Sequence, residues 1–116
     1  MDLTVSCCWL FLLFFAVFLK HGRRGSPHER NVTLEVTGSE LKFDWSSGQL
    51  KAHKNDIQLV EGKGTPVFAR TTADKTPAHR CFSIVTATRT LDLEAPSDQV
   101  REYWVTGIKL LLKYLK

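Results

Sequence analysis

The spacing of apolar residues changes once along this chain, at Pro96, and that change limits the fold more than any other feature. Before it, apolar and polar side chains alternate in short runs. After it, apolar residues recur every third or fourth position. Val32, Leu34 and Val36 alternate with Asn31, Thr33 and Glu35, and beyond a Gly38-containing turn Leu41, Phe43 and Trp45 alternate again. Period two with a short turn predicts a half-buried β-hairpin. The stretch DIQLVEGKG predicts a short strand with Ile57 and Leu59 or Val60 inward, and PVFAR predicts another. SSGQLKAHKN, carrying Lys51 and Lys54, is expected to be a polar loop, as is TTADKTPAH.

RCFSIVTA and TLDLEA then form a second hairpin, with Leu91 and Leu93 inward and Asp92 and Glu94 outward. Pro96-Ser97-Asp98 opens a helix over 97–115, with Ser97 as N-cap and Asp98 near the positive end of the helix dipole. Val100, Trp104, Ile108, Leu111, Leu112 and Leu115 make one apolar stripe. Lys109, Lys113 and Lys116 gather where the dipole favours cations. With FAVFLKHG as the first strand, the expectation is a mainly β fold of seven short antiparallel strands and one amphipathic helix. Meandering strands leave an open mouth or edge, and a single apolar helix is the natural lid. The 116 residues suffice for one domain.

The N-terminus is read differently. From Val5 to Leu19 only Ser6 is polar among 15 residues, and the basic stretch KHGRR follows. Fifteen residues are short for a spanning helix, and no basic n-region or small-residue cleavage site marks a secretory signal. Residues 1–16 are assigned as an apolar segment that anchors to or inserts in a membrane, and 17–116 as the folded domain. The competing reading is an apolar extension running into the first strand. Three cysteines, two of them the adjacent Cys7 and Cys8, make no disulfide framework and suit a reducing, cytoplasmic setting. Cys7 and Cys8 beside an apolar run could also accept palmitate.

Little here suggests catalysis. His79 and Cys81 lie two apart, on one face if the segment is a strand, but a small core thiol explains Cys81 more simply. Asp92 and Glu94 read as a solvated strand face rather than an acid/base pair. The four histidines lack metal-ligand spacing. GKGT falls between strands, not in the strand-to-helix setting of a phosphate loop. The chain is therefore expected to be no enzyme and to need no cofactor or metal. The net charge of +4 points to an anionic partner.

The segment RCFSIVTATRTLDLEAPSDQVREYWVTGIKLLL resembles the final hairpin and helix of a pleckstrin homology (PH) domain, with Trp104 as the helix tryptophan. DIQLVEGK is similar to the family's middle strand, and FLKHGRRGSPHERNVTL to its first strand, variable loop and second strand. The likeness is strongest to the domain that opens delta-type phosphoinositide phospholipases C. It implies a seven-stranded bent antiparallel barrel capped by the helix, without phospholipase activity. It also implies a phosphoinositide headgroup site at the mouth, with Lys20 and Arg30 as principal ligands and Arg23, Arg24 and His28 nearby. The expected function is non-catalytic binding of phosphoinositides or other anionic lipids, as a membrane-targeting or adaptor module, cytoplasmic and peripheral or held by the N-terminal segment. The alternative is a protein-interaction module with a protein partner. Nucleic acid is not expected, because no aromatic residues interleave with the basic loop to stack bases.

Overall fold

The computed structural model describes residues 15–115. The expectations for residues 1–14 lie outside this range. Seven strands precede one helix: β1 Phe15–His21, β2 His28–Thr37, β3 Glu40–Asp44, β4 Gln49–His53, β5 Gln58–Glu61, β6 Cys81–Val85, β7 Thr90–Glu94 and α1 Asp98–Tyr114. All pairings are antiparallel, in the order β4-β3-β2-β1-β7-β6-β5. The bent sheet wraps a core but is not closed by hydrogen bonds, so β4 and β5 are its two edges.

β2 and β3 bury alternate residues, as a pleated sheet with one covered face requires, whereas β6 and β7 are buried on both faces. Phe18 on β1, Val32 and Leu34 on β2, Leu41 and Phe43 on β3, Phe82 and Ile84 on β6 and Leu91 and Leu93 on β7 meet in one cluster. The helix completes that cluster with Trp104, Val105, Ile108 and Leu111. Trp104 is 1% exposed and lies edge-on to Phe18 at 4.9 Å between ring centroids, while Phe18 meets Phe82 at 5.6 Å. Edge-to-face geometry at this range adds to the area buried. Ser97 caps the helix by accepting the Val100 amide at 3.2 Å. Arg101 and Lys109 on the helix bind Glu61 of the β5 edge at 2.9 and 2.8 Å. Those bonds, led by the one from Lys109, hold the Glu61 carboxyl below its ordinary range.

The predicted fold class stands, with three corrections within it. The loop expected at SSGQLKAHKN contains β4, in which Leu50 is buried and Ala52 partly so, while Lys51 and His53 face solvent. The strand expected at PVFAR is instead a 3-10 turn, Pro66–Ala69, that buries Phe68. The third correction concerns Asp92, which does not face solvent. The connection from Gly62 to Arg80 folds back over the outer face of β6, β7 and β1 and covers it, leaving Asp92 1% exposed. Its carboxylate accepts the hydroxyls of Ser83 and Thr90 at 2.7 Å each, and that of Thr65. On the same side, the buried His21 contacts Glu94 through Nε2 at 3.0 Å and lies against Phe68 at 4.8 Å. A polar layer thus lies on one side of this part of the sheet and the apolar core on the other.

Among the described residues no helix is long and apolar enough to cross a membrane. The packing of Trp104 yields a test. Trp104→Ala should cost about 3–5 kcal/mol, a large part of the roughly 5–15 kcal/mol typical of a domain. Trp104→Phe should cost clearly less. Urea unfolding followed by far-UV circular dichroism measures both, and an alanine variant as stable as the parent would contradict the packing described.

Candidate functional site

The loop Gly22–Pro27 joins β1 to β2 at the open end of the sheet, beside the β6–β7 turn. Pairing of Phe18 with Arg30 and of Lys20 with His28 puts these four residues on one face of the β1–β2 ladder. Phe18 is core, so Lys20, His28 and Arg30 continue the inner face outward as the core runs out. Arg23 and Arg24 sit in the loop itself and are exposed. The loop is tied at its base, where Arg70 of the long connection donates from Nη1 to the Gly22 carbonyl at 2.5 Å.

A pocket of about 480 Å³ opens beside that base. Lys20, Arg23 and Arg24 line it, together with His21, Val67, Asp92 and residues 88–90 of the β6–β7 turn, Arg89 among them. His28 and Arg30 do not line it. The five residues expected from sequence therefore separate. Three border the pocket, and two stand on β2 beside Lys20.

Arg89 is the residue that sequence reasoning missed. It comes 59 positions after Arg30 (89 − 30), and nothing local marks it as a neighbour of the basic loop. Its Nη1 donates to the Gln49 carbonyl at 3.2 Å, and the turn that carries it is closed by Thr86, whose amide donates to the Arg89 carbonyl at 2.9 Å. The available signal was Trp45. Lys20 Nζ lies 5.3 Å and the Arg89 guanidinium carbon 5.2 Å from its ring centre, within range of cation–π attraction. The ring is fixed from below by Gly48, where a Cβ would come within 3.0 Å of the indole. A side chain at that position would push the Trp45 ring aside by a few tenths of an ångström.

Four cations therefore meet one carboxylate, Asp92, whose oxygens are already engaged by three hydroxyls. Burial lowers the Lys20 pKa, and the nearby charges of Arg89 and Arg30 lower it further, against a smaller opposing effect of Asp92. Like charges crowded this way are relieved by an anion, and a planar guanidinium beside an ammonium suits phosphate oxygens.

No family model and no curated protein matches the sequence. Solved structures do. The PH domain from TgAPH aligns with a TM-score of 0.62 at 16% identity, covering 94% of this chain and 90% of that one. The C-terminal PH domain of human pleckstrin aligns at 0.58 and 20% identity, covering 88% of each chain. Inner Membrane Complex Sub-compartment Protein 1 from Toxoplasma gondii aligns at 0.60 and 12% identity, covering 94% and 90%. The chain has the PH fold. At these identities the likeness concerns the fold, and the resemblance to phospholipase C rests on sequence alone.

The one thiol–imidazole pair that the sequence offers for catalysis does not meet in the fold. The Cys81 Sγ donates to the Pro77 carbonyl at 3.3 Å, and His79, exposed on the surface, pairs through Nδ1 with Asp98 at 2.5 Å. Cys81 is buried beside Phe68 and Ala73, and burial pushes its thiol up to about 12. A thiol so far above neutral pH supplies almost no thiolate nucleophile. In a chain with Cys7 and Cys8 changed to Ser, alkylation of Cys81 at pH 8 should therefore be at least about 100-fold slower in the native state than in urea. Mass spectrometry of the modified peptide reads the ratio, and equal rates would show that the thiol is accessible.

Proposed function

We propose that this PH-fold chain is a non-catalytic membrane-targeting module that binds phosphoinositides or other anionic lipid headgroups. The observation that carries the reading is the convergence of Lys20, Arg23, Arg24 and Arg89 on one pocket with a single, already engaged carboxylate. His28 and Arg30 extend the positive surface along β2, where anionic lipids next to the bound headgroup would lie. Two structural relatives carry names that place them in an inner membrane complex, which supports a peripheral membrane setting. In this reading the apolar run ahead of β1 adds attachment to the same membrane.

A second reading, protein binding, draws on a different feature. The unpaired edges β4 and β5 flank an open cleft of about 620 Å³ lined in part by Ala52, Ile57 and Val85. An extended peptide can add to such an edge through main-chain hydrogen bonds.

Vesicle sedimentation separates the two. Binding to phosphatidylserine or phosphoinositide vesicles should fall with added salt. Each basic residue near an anionic surface contributes about 1 kcal/mol, so Lys20→Ala with Arg89→Ala should weaken binding about 30-fold. Vesicles matched in charge but differing in phosphoinositide isomer then report headgroup preference. Equal binding to neutral vesicles, or no effect of the double change, would remove the pocket from the account. Deleting residues 1–12 should leave the domain folded and lower its membrane retention. An unfolded product would show instead that the segment belongs to the core.

A further inference from the structure

The basic loop carries its own acceptor for negative charge. Three Ser/Thr-Pro dipeptides occur in the chain: Ser26-Pro27, Thr65-Pro66 and Thr76-Pro77. Thr65 is buried, and its hydroxyl donates to Asp92. Thr76 is half-buried in the long connection, where its amide donates to the Ala73 carbonyl at 3.1 Å. Ser26 alone of the three is exposed, in an irregular loop with no ladder to break. Loops of this kind can be engaged by another protein without unfolding the elements they join.

The flanking residues add recognition chemistry. Arg23 and Arg24 stand three and two positions before Ser26, and Gly25, with φ +72, has open space around its Cα. Guanidinium groups there suit an acidic substrate groove. Pro27 follows directly and offers no amide N–H, which suits a kinase that accepts proline after the acceptor.

We propose that Ser26 is the acceptor for a proline-directed protein kinase, and that its phosphate releases the chain from anionic membranes. The second half rests on the membrane-binding reading above. Ser26 Oγ attacks the γ-phosphorus of magnesium ATP. The Oγ–P bond forms, the bond from that phosphorus to the bridging oxygen breaks to release ADP, and the hydroxyl proton passes to the kinase's catalytic base. The product adds a charge of about −1.5 to −2 and three strong acceptor oxygens. These oxygens present to Arg23 and Arg24 the chemistry that a lipid phosphate would present. An intramolecular partner thus occupies the loop guanidiniums and cancels about half the charge of the four-cation cluster.

The test uses the full chain in three forms: unmodified, Ser26→Ala, and with phosphoserine installed at position 26 during synthesis. Each is sedimented with phosphatidylcholine vesicles carrying phosphatidylserine, and separately with vesicles carrying a phosphoinositide. The phosphorylated form should bind about 10- to 30-fold more weakly, and the alanine form like the unmodified chain. Separately, a proline-directed kinase with magnesium ATP should label Ser26 and spare Thr65 and Thr76, as read by mass spectrometry. If the phosphorylated form binds like the unmodified one, or Ser26 stays unlabelled, the switch is overturned and the membrane reading stands. If the unmodified chain binds no anionic vesicle, the release step falls with the membrane reading, and the labelling arm alone decides whether Ser26 is an acceptor.

Discussion

Three residue pairs join the two halves of this sheet. β4, β3, β2 and β1 form one run and β7, β6 and β5 the other, and among the described residues they pair only where Leu19, Lys20 and His21 of β1 meet Glu94, Leu93 and Asp92 of β7. The pleat sends Lys20 and His21 to opposite faces at that seam. Lys20 enters the basic pocket, while His21 is buried under the Gly62–Arg80 connection against Glu94 and Phe68. Pocket, core and outer polar layer all depend on a contact of three residues. A one-residue slip there would bury the ammonium and expose the imidazole.

The outer cover explains how so short a seam holds. Lys63 donates to the Ala73 and Thr76 carbonyls at 2.7 and 3.1 Å, and Arg70 reaches the Gly22 carbonyl. The connection is therefore fastened to itself and to the base of the basic loop. Asp92 fastens it to the sheet by accepting the Thr65 hydroxyl from above and those of Ser83 and Thr90 from the strands. A buried carboxylate with three donors is tolerated because its acceptor sites are filled.

What the sequence made legible follows from how far each signal reaches. Alternation identified β2, β3 and β7, with β6 as the other arm of the second hairpin, and the change to helical spacing identified α1 with Ser97 as its cap. β4 was hidden because only Leu50 and Ala52 mark its inner face, and its outer Lys51 and His53 resemble loop residues. Pro66-Val67-Phe68 had strand composition, yet a single buried aromatic fits a 3-10 turn equally well. Asp92 looked solvated because its cover comes from the long connection rather than from a neighbouring strand. The candidate site divides the same way. Lys20, Arg23 and Arg24 are local to one loop and were legible, whereas Arg89 reaches the pocket only through the fold.

The orientation of β1 has a consequence for the proposed membrane contact. Lys20 and His21 stand at the pocket end of the strand, and Phe15 at the other. Six steps of about 3.3 Å separate Phe15 from His21, so the two ends are roughly 20 Å apart. Phe15 therefore lies at the pole remote from the cationic rim. In the proposed membrane-bound state, an upright β1 holds Phe15 well above the headgroups. A recumbent strand brings both poles to the surface at once. The angle between β1 and the membrane normal in that proposed state therefore sets whether Phe15 and the cationic rim reach the surface together.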